Sequence, residues 1–349
     1  MTKTSAGRFF EDYRIDEVIA HAVPRTVTEG DRALYTALYP TRFALASSDV
    51  FARASGLPRS PLDDFAAFHV VFGKTVPDIS LNAIANLGYA EGRFLQPVYP
   101  GDTLTTTSRV IGLRETSNRA SGVVWVRSTG RNQHGTPVLD YVRWVMVRKR
   151  SPEAAAGPAV VPALAPAVAP EDLVLPEGLD FTGYDFALAG EPHRWGDYAV
   201  GEQIDHVDRV TIEEAEHMMA TRLWQNTAKV HFDATARPDG RRLIYGGHVI
   251  SLARALSFNG LANLQSIVAI NAGSHANPCH AGDTVRAWSE ILDLAETPAP
   301  GVGALRVRTV AVRVGPEAPG SDPFLLRDAE GRYRPEVLLD LDYWALVPQ

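Results

Sequence analysis

The feature that most restricts the fold of this chain is an internal duplication. Two segments of similar length, 1–150 and 179–349, carry related short motifs in the same order, which predicts two copies of one folding unit. The matched segments are 10–17 with 195–202, 26–29 with 211–214, 69–71 with 248–250, 82–87 with 259–264, 96–103 with 277–284, and 140–144 with 340–344. Between the copies, residues 151–178 are rich in Pro and Ala without helical or strand periodicity, which predicts a semi-extended linker.

Each copy is predicted to contain one moderately long helix and an antiparallel sheet. The helix is expected near 77–87 in the first copy and near 247–264 in the second, where no proline interrupts the pattern. Alternating apolar and polar residues predict strands at 93–98, 102–113, 123–132, 139–149, 285–294, 304–314 and 337–347. One helix wrapped by an antiparallel sheet, twice, is an α+β architecture.

Composition and charge argue against several classes of protein. The 34 Lys and Arg residues are outnumbered by 41 Asp and Glu residues, so the chain lacks the basic excess that binding to nucleic acid or anionic membrane requires. Its single cysteine cannot form an internal disulfide, and no segment reaches the roughly 18 uninterrupted apolar residues of a membrane helix. We therefore expect a cytoplasmic protein. Phosphate-binding glycine motifs and the G-x-S-x-G elbow of serine hydrolases are missing from the sequence.

The turn that leads into the long strand of each copy resembles a known fold. Pro97 to Thr103 and Pro278 to Thr284 both read Pro-x-x-x-Gly-Asp-Thr, which resembles the hot-dog fold, so that the two copies together resemble a double hot-dog. The second copy resembles the MaoC-like, R-specific enoyl-CoA hydratase family. Within it, the chain is similar to the mesaconyl-CoA hydratases, or β-methylmalyl-CoA dehydratases, over segments in both copies: 72–90, 141–150, 210–218, 225–232 and 245–263.

The resemblance implies an activity. It implies a hydro-lyase that reversibly interconverts mesaconyl-CoA (2-methylfumaryl-CoA) plus water and β-methylmalyl-CoA, as in the ethylmalonyl-CoA pathway. Coenzyme A would be part of the substrate, and no other cofactor is expected. Two alternatives remain open: an acyl-CoA thioesterase on the same fold, and a non-catalytic acyl-CoA-binding module. We also expect the protein to form a homo-oligomer, specifically a homodimer.

A loop in the second copy corresponds to the catalytic motif of the resembled family, Asp-x-Asn-Pro-x-His. Here the loop runs from Asn226 to His231, so the histidine is present and Asn stands at the Asp position. His231 is the predicted proton-transfer residue, because an imidazole titrates near neutral pH. Asn226 cannot transfer a proton and would orient water or the thioester. Asp233 could orient the ring or replace the missing carboxylate. The first copy ends the corresponding loop at Ser47 and has no histidine there.

The start of the second copy's helix supplies the other predicted contacts. Gly246 and Gly247 precede it, and a backbone N–H at a helix N-terminus, assigned to Gly247, would stabilise the oxyanion. His248 could line the site, or, because His69 recurs at the matching place in the first copy, it could have a structural role shared by both copies. Basic residues around the loop could bind the CoA phosphates or an acyl carboxylate: Arg222, Lys229, Arg241, Arg242 and Arg254. His275, Cys279 and His280 are close in sequence, but neighbouring residues of a strand face opposite sides, so no metal site is predicted.

Overall fold

The computed structural model describes residues 3–315 and 322–349. The strands in these residues are β1 (Val18–Thr26), β2 (Ala83–Phe94), β3 (Thr103–Glu115), β4 (Ser121–Arg131), β5 (Pro137–Arg148), β6 (Gln203–Thr211), β7 (Ile267–His275), β8 (Thr284–Glu296), β9 (Val302–Arg313) and β10 (Val337–Pro348). They form one antiparallel sheet in the order β1-β3-β4-β5-β2-β7-β10-β9-β8-β6. The second half of this order mirrors the first, so the sequence duplication is also a structural one, and β2 and β7 join the copies.

Helices cover this sheet. They are α1 (Glu29–Leu38), α2 (Ala44–Ser47), α3 (Asp49–Ala54), α4 (Asp64–Thr75), α5 (Phe186–Ala189), α6 (Glu214–Leu223), α7 (Lys229–Phe232), α8 (Gly246–Leu256) and α9 (Phe258–Leu261), and a π-helical turn, Val76–Ser80, follows α4. Helix α4 packs on β1 and β3, helix α8 packs on β6, β8, β9 and β10, and the two helices contact each other. Their buried side chains belong to one hydrophobic core shared by both copies. None of the helices in the described parts of the chain is long and apolar enough to cross a membrane.

The α+β class predicted from the sequence is confirmed, and so is most of the sheet. Strands β3, β4, β5, β8, β9 and β10 match predicted strands to within a few residues. Only the start of the predicted strand at 93–98 belongs to β2, and strands β1, β6 and β7 were not predicted. The linker, residues 151–178, has no strand or α-helix, and it packs on the sheet at Val168, whose peptide oxygen accepts a hydrogen bond from Trp344 Nε1 at 3.0 Å.

The predicted helix at 77–87 of the first copy is wrong. The central helix there is α4, and most of 77–87 belongs to the π-helical turn and to β2. Nearly every residue of α4 from Phe65 to Thr75 is buried, so its sequence lacks the polar face that a helical periodicity needs. The second predicted helix, 247–264, is correct at its start, but α8 ends at Leu256 and the chain bends at Gly260, where φ is 98°.

Candidate active site

A cavity of about 300 Å³ lies between the two copies. The first copy contributes the end of α4, the π-helical turn, β2 and β5, and the second contributes the loop around α7, the start of α8 and the end of β7. Its titratable lining residues are His231, His275, Tyr89, Tyr245, Cys279 and Arg143. No Asp or Glu lines it within the described part of the chain. The carboxylate of the resembled family's catalytic pair therefore has no direct replacement here.

His231 lies in α7 and borders the cavity. Its Nδ1 is 2.9 Å from the peptide oxygen of Leu243. Because a carbonyl oxygen only accepts hydrogen bonds, Nδ1 must carry the proton, and the Nε2 lone pair is left as the acceptor of the ring. Burial lowers the pKa of His231 to about 4. The ring is thus neutral at pH 7 and has one defined basic atom.

Asn226 is buried and also borders the cavity. Its Oδ1 accepts a hydrogen bond from the peptide N–H of Ala228 at 3.3 Å. Since that partner is a donor, the side-chain oxygen must face it, and the Nδ2 amide keeps its donors for other partners. Asn226 can therefore donate a hydrogen bond to a water or an acyl oxygen, and it cannot act as the base.

Helix α8 begins at the cavity. Tyr245 is its N-cap residue, and the first helical residues, Gly246 and Gly247, have N–H groups that an α-helix leaves without intrahelical partners. Gly246 borders the cavity, and a Cβ added to it would lie 2.3 Å from Cε1 of His275. Gly247 packs instead against Tyr245 and His69. The glycine at the cavity wall is therefore Gly246, whereas the sequence analysis assigned the oxyanion donor to Gly247.

His275 is a cavity residue to which the sequence analysis gave no catalytic role. It ends β7, and its Nε2 is 3.1 Å from the hydroxyl of Tyr89 on β2. Burial, with a smaller effect from His231, lowers the pKa of His275 to about 4. Cys279 and His280 follow β7 in a loop, so their predicted placement on a strand is wrong. Within residues 3–315 and 322–349, no cluster of three or more His, Cys, Asp or Glu residues could hold a metal ion.

Two other predicted residues lie away from the cavity. Asp233 is exposed, and its Oδ1 accepts hydrogen bonds from the hydroxyl and the peptide N–H of Thr235. These bonds lower the pKa of Asp233. His248 is fully buried, with Nδ1 2.8 Å from the hydroxyl of Tyr39, and burial lowers its pKa to about 3. The structural interpretation of His248, left open by the sequence, agrees with this position.

The predicted basic residues have different surroundings. Arg254 is buried beside the ring of Phe43 and donates to the peptide oxygen of Leu264, so it does not reach the cavity. Arg222 is exposed on α6, and it too lies outside the cavity wall. Lys229 is exposed within the loop from Asn226 to His231, and its Nζ donates to Asn82 Oδ1 at 3.2 Å. Of these three residues, only Lys229 lies beside the cavity.

The pseudo-equivalent position in the other half is almost closed. It holds a space of about 20 Å³, roughly enough for one water molecule. Phe94 stands there at the place that His275 has in the open cavity, and Val174 and Pro176 of the linker close it further. Of the two pseudo-equivalent positions, one is therefore open and the other is almost closed.

Comparison of whole structures defines the class. The chain is similar to the crystal structure of a putative MaoC domain protein dehydratase from Chloroflexus aurantiacus, with a TM-score of 0.96 and 59% identity over 100% of this chain and 99% of the other. It is also similar to a conserved hypothetical protein of Mycobacterium tuberculosis described as having a double hotdog fold, with a TM-score of 0.76 and 27% identity over 98% of each chain. The fold is the double hot-dog of MaoC-like dehydratases, as the sequence predicts.

Sequence comparison identifies the family within this class. Residues 2–318 match the profile of the family described as mesaconyl-CoA hydratase. The chain is 74% identical to a mesaconyl-CoA hydratase of Cereibacter sphaeroides, over 99% of this chain and 100% of the relative. It is 60% identical to a β-methylmalyl-CoA dehydratase of Chloroflexus aurantiacus, over 99% of each chain. The chain belongs to the mesaconyl-CoA hydratase family.

Proposed function

We propose that this protein is a hydro-lyase that reversibly adds water to mesaconyl-CoA and forms β-methylmalyl-CoA. The family and its two curated relatives support the substrate and the reaction. The observation that carries the chemistry is the hydrogen bond from His231 Nδ1 to the Leu243 carbonyl, because it leaves Nε2 as a neutral base at the cavity wall.

The reaction needs a site for negative charge on the thioester oxygen. Water attacks the alkene carbon β to the thioester, a C–O bond forms there, and the π electrons move onto the thioester, which becomes enolate-like. The proposed donor is the Gly246 N–H, which lies at the positive end of the α8 dipole and at the cavity wall. The absence of a side chain on Gly246 allows the His275 ring to pack against the start of α8.

Proton transfer falls to histidine. His231 Nε2 accepts a proton from the attacking water, while the Asn226 amide donates a hydrogen bond to the water oxygen. The resulting imidazolium is a stronger acid than usual, because burial lowers the pKa of His231 to about 4. It can therefore return the proton to the α carbon on the same face, which gives syn addition. Anti addition would require a second proton donor, and His275 is the other imidazole that lines the cavity.

One assay distinguishes this function from its two rivals. The protein is incubated with mesaconyl-CoA while the absorbance of the conjugated thioester and the concentration of free thiol are followed together. A hydratase removes the absorbance without releasing thiol. Thiol release would instead indicate a thioesterase, and no change in either signal would indicate an acyl-CoA-binding module. Repeating the hydration in deuterated water and determining the configuration at both carbons by NMR tests syn addition.

We propose that the reaction needs no cofactor beyond the coenzyme A of the substrate. The proton acceptor, the water-orienting amide and the oxyanion donor are all supplied by the chain itself. Activity should therefore survive dialysis against EDTA, and an activity lost to the chelator and recovered with zinc would contradict this.

We also propose that the protein forms a homodimer, which a measurement of its molar mass by light scattering tests. We propose a cytoplasmic location as well, which cell fractionation tests. Lys229 remains a predicted contact of the CoA moiety.

A further inference from the structure

Arg143 is the one arginine that borders the cavity within the described residues, and its side chain is fully buried. It lies on β5, directly opposite Tyr89 of β2 in the sheet. Its Nη2 donates to the hydroxyl oxygens of Thr75 at 2.7 Å and Ser80 at 3.4 Å, and its guanidinium carbon lies 4.2 Å from the ring centre of Phe72. The guanidinium is therefore held in place by neutral groups.

The positive charge of Arg143 has no counter-ion in the described structure. None of the ion pairs among residues 3–315 and 322–349 includes it, and its Nε and Nη1 have no hydrogen-bond partner. Burying an unpaired guanidinium destabilises a fold strongly. Close by on β2, Asn86 also borders the cavity, and both polar atoms of its side chain lack partners. The guanidinium donors of Arg143, together with the amide donor and the oxygen of Asn86, thus lack hydrogen-bond partners at the same end of the cavity.

We propose that Arg143 forms a carboxylate-binding subsite, which accepts the free carboxylate of a dicarboxylic acyl-CoA and excludes acyl chains that end in an apolar group. A carboxylate supplies the missing counter-ion and accepts hydrogen bonds from the unpaired guanidinium N–H groups. Asn86 adds an amide donor beside it. This inference rests on the proposed function, since it assigns the part of the site that selects mesaconyl-CoA among unsaturated thioesters.

The subsite also has a consequence for the direction of water addition. In mesaconyl-CoA the carboxylate is attached to the carbon that water attacks, where its negative charge opposes an electron-rich nucleophile. An ion pair with Arg143 neutralises that charge and holds the β carbon in one position relative to His231. Arg143 comes from the copy without the catalytic histidine, so both copies contribute to one site.

Binding of two saturated thioesters tests this subsite without any chemical step. Succinyl-CoA carries a terminal carboxylate, and butyryl-CoA has the same chain length with a methyl group in its place. Isothermal titration calorimetry should show that the wild-type protein binds succinyl-CoA about 10- to 100-fold more tightly, which is the usual effect of a charged hydrogen bond. Arg143→Met should abolish this preference and leave the affinity for butyryl-CoA within about threefold.

Two further variants keep the test decisive. Arg148→Met, at an exposed position of the same strand, should retain the wild-type preference. Arg143→Lys keeps the charge but loses the planar donor set, so it should lower the preference, and it serves if Arg143→Met does not fold. Equal affinity of the wild-type protein for both thioesters would overturn the subsite even if mesaconyl-CoA is hydrated. Preferential binding of succinyl-CoA by a protein that fails to hydrate mesaconyl-CoA would leave the subsite intact and reject the proposed function.

Discussion

At the scale of single residues, His231 carries the proposed proton transfer. His231→Gln should reduce kcat by at least about 1000-fold, because glutamine has no basic nitrogen. Thermal unfolding should change little, since α7 is a short helix at the surface of the core. The measurement is the loss of enoyl-thioester absorbance with mesaconyl-CoA. Ser47→Ala, at the matching place in the first copy, is the control, and similar rates for both variants would mean that the base lies elsewhere.

The pH dependence of His231 gives a second prediction. Because burial lowers the pKa of His231 to about 4, the base is already neutral at pH 5.5. A plot of kcat/KM against pH should therefore be flat from about pH 5.5 to 8 and decline only at lower pH, as Nε2 becomes protonated. An ordinary histidine would produce a decline near pH 6.5. A decline near pH 6.5 that persists when each of the other histidines is replaced would contradict the assignment of a neutral His231.

Substitutions at Asn226 test how the site functions with asparagine at the position of the aspartate in the family's catalytic pair. Asn226→Ala removes one positioned donor and should lower kcat about 10- to 1000-fold. Asn226→Asp keeps the shape and should retain part of the activity. Asp233→Asn should behave like the wild-type protein, because that carboxylate is exposed and bonded to Thr235. A large loss in Asp233→Asn, with one limb of the pH profile missing, would restore Asp233 as the displaced carboxylate.

The sequence identified part of this site and missed the rest for a physical reason. His231 and Asn226 lie in a short contiguous loop, so a motif suffices to locate them. Arg143 and His275 come from different strands, and only the pairing of β5, β2 and β7 brings them to one cavity. A signal for Arg143 was nevertheless present. Tyr141, Arg143 and Val145 share one face of a strand by alternation, which places a charge in an apolar row.

At the scale of elements, the start of α8 positions the oxyanion donor. The peptide N–H of Tyr245 donates to His217 Nε2 at 2.9 Å, which fixes the residue before the helix. Gly246→Ala should lower kcat about 100-fold, because the new Cβ meets the His275 ring and either that ring or the helix start must move. Gly196→Ala, where a Cβ meets nothing within 4 Å, is the matched control. Wild-type kinetics in Gly246→Ala would show that the approach of His275 to the helix is not needed.

Helix α4 shows why one element was misplaced from the sequence. Periodicity identifies strands such as β3 and β8 because one face is buried and the other is not. Helix α4 is buried on nearly all sides, so no contrast between faces exists. The helix was predicted at 77–87 instead, where the chain forms the π-helical turn and the start of β2.

At the scale of the whole molecule, fully or partly buried imidazoles couple folding to pH. Burial lowers the pKa of six histidines to about 4 or below: His69, His206, His217, His231, His248 and His275. Each is neutral in the folded protein at pH 5, whereas in the unfolded chain, with a pKa near 6.5, it binds a proton. The contribution of these neutral histidines to the stability of the fold is therefore complete above about pH 6.5, and it is lost as the pH falls towards the folded pKa values.

This linkage predicts the size of the effect for one residue. Between pH 7 and pH 5, each such histidine should lower the free energy of unfolding by about 2 kcal/mol. His248→Asn should remove one such contribution, so its urea midpoint should depend less steeply on pH than that of the wild-type protein. The control is His134→Asn, which replaces a histidine at an exposed position. Parallel curves for His248→Asn and the wild-type protein would contradict the prediction.

One open cavity and one nearly closed counterpart show that the sequences of the two copies have diverged independently. In an assembly of two identical subunits, every substitution appears at both symmetry-related places at once. Here Arg143 lies where the other copy has Tyr343, and Phe94 lies where the other copy has His275. Joining the copies in one gene product lets each position vary alone. One copy could thus lose its base and gain an anion-binding arginine, while the other kept the chemistry, and each chain should accordingly bind one acyl-CoA.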